Sequence, residues 1–238
     1  MSGIKLIIGN GADFSASALP IYGELTVKAG KKVILDGITY QAGETDESFD
    51  LKTLPTDYQQ VAANRASLKN ITVFKTAPLT ALAFANNSAL ESVVFENGVS
   101  FSNDIKTLFY NCTALQSITF NSASNYALSD CQSMFNGCIE LLSLDLSMFN
   151  LSAVTNTSKM FLKINKLETL DISGFNSANV DDYTQMFTKT AGLPTALTKV
   201  IVNGCSVETK TWLIARLASL GVYVTGADSS GNECLLLT

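Results

Sequence analysis

The chain has 238 residues, of which 47% are hydrophobic and 16% charged, enough apolar content for a buried core and too much for a disordered chain. Sixteen Lys and Arg against 21 Asp and Glu leave a formal charge of −5, and the scattered cations offer a phosphate backbone no basic surface, which disfavours nucleic acid as a partner. Histidine is absent, so the commonest general base and metal ligand is missing and most hydrolytic triads and zinc sites fall away.

In chain order, Met1–Gly11 holds only a short apolar run before Gly9 and Asp13 interrupt it, which does not read as a secretory signal. No stretch reaches the roughly 18 to 20 consecutive apolar residues that span a bilayer, so no membrane insertion is expected. Four β-prone runs follow, Lys5–Ile8, Gly23–Lys28, Lys32–Leu35 and Ile38–Gln41. The turn signals Ala29-Gly30 and Asp36-Gly37 lie between them, predicting a small antiparallel β unit over residues 1–50, either a cap or an attachment module. Thr56-x-x-Gln59 after Pro55 is a capping-box pattern that opens a helix through about Ala66, so residues 51–67 read as a helical linker or cap.

From Leu68 a period governs the chain. Phe109, Phe135, Phe161 and Phe187 recur at one constant step, 135 − 109 = 161 − 135 = 187 − 161 = 26, and Phe84 falls one position short of it. Leu115, Leu141 and Leu167 keep the same step, as do the strand cores Ile118-Thr119-Phe120, Leu144-Asp145-Leu146 and Leu170-Asp171-Ile172. Val93-Val94-Phe95 precedes them, and Val200-Ile201-Val202 follows after a longer interval, 200 − 170 = 30, stretched by extra residues within 189–197. Strand alternation sends the first and third of each triplet inward and the middle one outward. Periods of roughly 20–29 residues with a Leu-x-x-Leu-x-Leu core mark leucine-rich stacks, in which no repeat buries its apolar side alone. The predicted fold is therefore α/β, mostly β: a leucine-rich-repeat solenoid with a stacked parallel sheet over residues 68–205, flanked by the N-terminal β unit and a C-terminal cap at 206–238. In that cap Trp212, Leu213, Leu217 and Leu220 recur at helical spacing over Thr209–Leu220, Gly221 ends the helix, and Val222–Thr225 and Cys234–Leu237 are candidate closing strands.

Five cysteines without a Cys-x-x-Cys pair indicate neither a metal ribbon nor a disulfide scaffold. Cys112 and Cys138 share one column of the stack and read as small buried apolar residues. Met134, Met160 and Met186, the pair Phe149 and Phe175, the series Leu128, Val154 and Val180, and the single tryptophan, Trp212, are likewise assigned to the core or the cap.

The run from Met134-Phe135-Asn136-Gly137-Cys138 through Leu144-Asp145-Leu146-Ser147, Phe149-Asn150 and Val154-Thr155-Asn156 to Met160-Phe161 resembles the BspA-like leucine-rich repeat family of bacterial surface proteins. Residues 160–187 repeat it with Leu170-Asp171-Ile172-Ser173, Phe175-Asn176 and Val180. The likeness weakens over 84–133, where Leu108 stands for Met and Ala123-Ser124 for Phe-Asn. The resemblance implies a parallel-strand solenoid used for adhesion or for protein and glycan binding, with no catalytic residues and no cofactor to carry over. The segment Gly11–Leu19 is similar to short N-terminal segments of phage-type structural proteins, implying as an alternative a virion or tail-associated protein that docks through residues 1–50 to phage structural proteins.

The outward triplet positions and the residues two before them define the exposed strand face, and Thr119, Ser143, Asp145, Thr169 and Asp171 are its candidate ligand-binding residues. Asp145 and Asp171 fall on neighbouring strands, a spacing shared by retaining glycosidase pairs and calcium sites. Aspartate recurs there as part of the repeat, however, so a structural role is the stronger reading and a glycosidase the minor alternative. The expectation is a non-enzymatic interaction module at the cell surface, outside the cell or on a virion, with a protein or surface glycan as partner and no metal.

Overall fold

Each repeat puts β-branched and large apolar residues at alternate positions of a three- or four-residue run, which forms a strand only if a neighbouring rung covers its inner side. In the computed structural model this is how the strands are satisfied. Side chains and backbone are described for residues 84–95, 99–121, 125–190 and 196–238, together with 28–30, 44 and 79. Before residue 79 the description otherwise comprises the backbone of seven strands.

These seven are β1 (Ile4–Ile8), β2 (Phe14–Ala16), β3 (Gly23–Val27), β4 (Lys32–Leu35), β5 (Ile38–Gln41), β6 (Glu47–Asp50) and β7 (Asn70–Val73). The later strands are β8 (Ser92–Phe95), β9 (Ser117–Phe120), β10 (Tyr126–Ala127), β11 (Ser143–Asp145), β12 (Phe149–Asn150), β13 (Thr169–Asp171), β14 (Lys199–Ile201), β15 (Tyr223–Ala227) and β16 (Glu233–Leu237). The one α-helix among the described residues, α1, spans Val207–Leu217. The protein is thus mostly β, and its sheets are open.

The main strand column runs parallel in the register set by the repeat. β7, β8 and β9 pair as Ile71↔Val93↔Ile118. β11, β13 and β14 pair as Leu144↔Leu170↔Val200. The first series lies in a sheet ordered β2-β4-β5-β7-β8-β9, and the second in one ordered β11-β13-β14-β16-β15. Alternation holds: Leu144, Leu146, Leu170, Ile172, Val200 and Val202 are buried, while Asp145 is exposed and Asp171 and Ile201 half-buried.

The N-terminal strands depart from the expected antiparallel unit. β1 pairs with β3, and β2 with β4, in parallel; β3–β6, β4–β5 and β5–β7 are antiparallel. Alternation dictates which face of a strand is buried and not which strand lies beside it, so the partners were invisible in the sequence. β5 pairs with β7 and thereby continues the strand column of the repeats. The capping-box helix expected over 51–67 lies outside the described residues.

Across the stack from the strands, the Phe column is continuous. Rings of Phe84, Phe109, Phe135, Phe161 and Phe187 follow one another at centroid distances of 5.3, 5.7, 6.1 and 5.1 Å, stacked with their planes nearly parallel throughout. Leu115, Leu141, Leu167, Cys112, Cys138, Met134, Met160 and Met186 are buried beside them. All five cysteines are free thiols.

The turns that carry Phe109, Phe135 and Phe161 are each held by two residues in the left-handed backbone region, and those of Phe84 and Phe187 have one each among the described residues. Thr107, Ser133, Lys159 and Gln185 form one column, with φ of 57°, 52°, 56° and 57°. Asn86, Asn111, Gly137 and Lys163 form the other, with φ of 63°, 59°, 84° and 64°. This conformation costs a residue with a Cβ roughly 1–2 kcal/mol. What offsets the cost is visible in the hydrogen bonds: the turned-over N–H groups point along the stack. Thr107 donates to the Gln132 carbonyl at 2.8 Å, Ser133 to Ser158 at 2.9 Å and Lys159 to Thr184 at 2.9 Å. Asn111 donates to Asn136 at 2.7 Å, Gly137 to Leu162 at 2.9 Å and Lys163 to Thr188 at 3.1 Å. Asp104, Asp130, Asn156 and Asp182, bridged in parallel from rung to rung, prepare the turn by accepting the N–H two residues ahead through Oδ1 at 3.2, 2.9, 3.0 and 2.9 Å.

At the C-terminus α1 begins two residues before the expected Thr209 and ends three before Leu220. Ser206 caps it by accepting the Thr209 N–H at 3.1 Å. Leu213 and Leu217 are buried, and Trp212 packs on Phe175 and Tyr183 with the Arg216 guanidinium 4.4 Å from its ring. β15 and β16 form a hairpin, and β16 runs antiparallel to β14, which closes the edge of the strand column.

Candidate functional site

The candidate residues sort into two groups. Ser143 faces Thr169 and Asp145 faces Asp171 in the β11–β13 register, on strands about 4.8 Å apart. Both carboxylates serve the backbone: Asp145 Oδ1 accepts the Ser147 N–H at 2.8 Å, and Asp171 Oδ1 accepts the Ser173 N–H at 2.9 Å and the Ser173 hydroxyl at 2.6 Å. Each thus ends its strand with an Asx turn, which explains why aspartate keeps the step of the repeat. Among the described residues no group of three or more His, Cys, Asp or Glu gathers to hold a metal ion.

Thr119 belongs to a different place. β9 ends one sheet and β11 ends another, so the ladder of the strand column is interrupted between them. The Leu142 N–H still donates to the Gln116 carbonyl at 3.3 Å just before the two strands, but the strands themselves do not pair. A cleft of about 460 Å³ opens there, lined by Ile118, Thr119, Phe120, Asn125, Asp145, Ser147 and Met148. Ile118 and Phe120 occupy positions whose counterparts Leu144, Leu146, Leu170 and Ile172 are buried, yet both are only partly covered. Phe120 is nonetheless fixed, stacked on Phe95 at 5.1 Å and edge-on to Phe149 at 5.3 Å.

The break coincides with a slip in the neighbouring column. β10 pairs with β12 as Tyr126↔Phe149, a step of only 149 − 126 = 23, whereas the bridge Asp130↔Asn156 restores 156 − 130 = 26. The residue one full repeat before Phe149 is Ala123, which is too small to hold the ring's place in the core. Tyr126 takes the ladder position instead, its ring 5.5 Å from Phe101 and its hydroxyl donating to the Val99 carbonyl at 2.7 Å. The interval from β9 to β10 is correspondingly longer than that from β11 to β12. In the sequence Ile118 and Phe120 read as ordinary inward positions, and Ser147 and Met148 do not stand out. The available signal is the departure from Phe-Asn at Ala123-Ser124, which marks an irregular repeat without showing what the irregularity opens.

The thiols offer no nucleophile. Burial pushes the Cys112 thiol up to about 12 and raises Cys131 and Cys138 as well, which keeps them protonated at neutral pH.

A family model described as "Mycoplasma protein of unknown function, DUF285" matches residues 103–208, a span that runs from the first Asx turn through β9, the cleft, β11, β13 and β14 into α1. No curated protein and no solved structure matches the chain. Among the described residues no helix is long and apolar enough to cross a membrane.

Proposed function

We propose that the chain is a recognition module and not a catalyst. In this reading residues 68–205 are a leucine-rich-repeat solenoid of the BspA-like kind, displayed at a bacterial surface, which binds a protein or a glycan through its open strand face. The observation that carries it is the division of labour in the repeat. Residues that look like chemistry, Asp145 and Asp171, are engaged in Asx turns, while Thr119, Ser143 and Thr169 face outward without a core to fill. The family match over 103–208 and the recurring Met-Phe phrase support the same reading.

The test is binding by the intact chain to immobilised glycan and extracellular-protein arrays, read by surface plasmon resonance. Saturable binding that weakens in Thr169→Arg, which places a bulky charge on the strand face, is the expected result. Hydrolysis of a glycoside that disappears in Asp145→Asn or Asp171→Asn overturns the reading in favour of an enzyme. Recovery of the protein in purified phage particles and not in washed envelopes replaces the bacterial surface with the virion.

A further inference from the structure

We infer that the cleft between β9 and β11 is a binding site for a neutral, hydroxyl-rich ligand, a sugar ring of mono- to disaccharide size. This rests on the recognition reading above and narrows its ligand class.

The walls differ from the same positions one rung on. Ser173 donates its hydroxyl to Asp171 Oδ1, so that Ser–Asp pair is closed. At the cleft, Ser147 donates only its N–H to Asp145 Oδ1, and the Ser147 hydroxyl and Asp145 Oδ2 have no partner among the described residues. The Asn125 amide and the Thr119 hydroxyl, which line the same cleft, also have none among them. Four uncommitted polar groups therefore meet over a floor made apolar by Ile118, Phe120 and Met148.

That combination selects its ligand by chemistry. A carboxylate oxygen accepts from hydroxyls, an amide both donates and accepts, and two side-chain hydroxyls do either, matching a ligand whose rim alternates donors and acceptors. The ring of Phe120, held between Phe95 and Phe149, presents a rigid apolar surface to the C–H face of a sugar. Asp145 opposes an anion, and among the described residues no Lys or Arg lines the cleft to offset it. A single carboxylate is a poor cage for a metal cation, which requires several oxygen ligands. The volume of about 460 Å³ sits within the range of small-molecule sites.

The strand-face site of the preceding section and this cleft are separable by experiment. The intact protein is mixed with methyl glycosides of glucose, galactose, mannose and N-acetylglucosamine, with galacturonate as the anionic contrast, and saturation-transfer NMR and calorimetry report binding. At least one neutral glycoside is expected to bind. Asn125→Ala, which removes an amide that makes no hydrogen bond to the described residues, is expected to weaken it about tenfold, the effect of one lost hydrogen bond. Phe120→Leu should weaken it comparably, with circular dichroism confirming that both variants are folded, and Glu140→Gln, outside the cleft lining, should leave it unchanged. Galacturonate binding as well as galactose overturns the neutral-ligand assignment. Glycoside binding indifferent to both Asn125→Ala and Phe120→Leu overturns the location. Protein binding on the arrays with every glycoside silent overturns this site and leaves the recognition reading standing, whereas silence in both assays overturns both.

Discussion

The two long sides of the repeat stack are built to different tolerances. On the turn side, Phe rings follow one another from Phe84 to Phe187, and the left-handed residues donate from every rung to the next over the same span. On the strand side, the ladder stops between β9 and β11 and a cleft opens. Repeat proteins are held by nearest-neighbour interfaces, so a rung lacking one of its ladders must rely on the other. The turn side supplies continuity, and that frees the strand side to open where the repeat departs from its pattern.

The largest expected difference between the two sides is in ring removal. Phe135 is buried between Phe109 and Phe161, and Phe135→Ala should cost about 3–5 kcal/mol, the loss for a buried Phe whose neighbours cannot collapse on the cavity. Phe120 is only partly covered, and Phe120→Ala should cost under about 2 kcal/mol. Urea unfolding of both variants checks the comparison. Equal losses would mean that the strand side holds the stack as firmly as the turn side.

Next in size is a gain. Asn87 stands at the foot of the column that continues through Cys112 and Cys138, its backbone N–H facing the Cys112 sulfur. It is 1% exposed, and both its amide nitrogen and its amide oxygen lack a partner. A buried unpartnered polar group costs about 1–3 kcal/mol, so Asn87→Cys, which extends the column's own residue type, should stabilise the protein by a similar amount. A raised midpoint in urea at unchanged slope is the expected observation. A loss would show that the amide is held by an interaction the column logic omits.

The left-handed columns give a smaller, paired test. Gly137 has φ of 84°, and a Cβ there would lie 3.3 Å from the Asn111 backbone; Gly137→Ala should cost about 1–2 kcal/mol. Lys163, at φ of 64° in the same column, bears that strain already, so Lys163→Gly should gain up to about 1 kcal/mol. Opposite signs at two positions one repeat apart would show that backbone conformation and not side-chain contact sets the preference.

These columns also show what the sequence conveyed. The Phe, Leu, Met and Cys columns were legible because burial restricts residue type, so the period is written in the letters themselves. The left-handed columns were not, since Thr107, Ser133, Lys159, Asn111 and Lys163 are ordinary residues held at positive φ by N–H bonds to the next rung. The Asx series Asp104, Asp130, Asn156 and Asp182 was there to be read on the same period and points to the turn. Of the candidate site, Thr119 and Asp145 were picked out for facing outward. That they share a cleft depends on the slip to Tyr126, a property of pairing and not of composition.

The smallest effect lies where the strand side is closed deliberately. The Lys199 ammonium on β14 bonds Asp228 in the hairpin turn at 3.0 Å, and Asp228 Oδ1 also accepts the N–H groups of Ser230 and Asn232 at 3.0 Å each. Lys199 first, and then Asn232, hold the Asp228 carboxyl well below the usual carboxylate range. The folded chain therefore binds this proton less readily than the unfolded chain, whose value is about 3.9. The resulting stabilisation is complete above that value and disappears as pH falls through the lowered one. Asp228→Asn should lower the thermal midpoint at pH 7, and the gap to the parent protein should narrow as pH drops below about 4. A gap independent of pH would assign the role of Asp228 to turn shape alone, since asparagine can accept the same backbone N–H groups. Narrowing in acid would instead identify charge as the clasp that keeps this end of the strand column from opening as it does between β9 and β11.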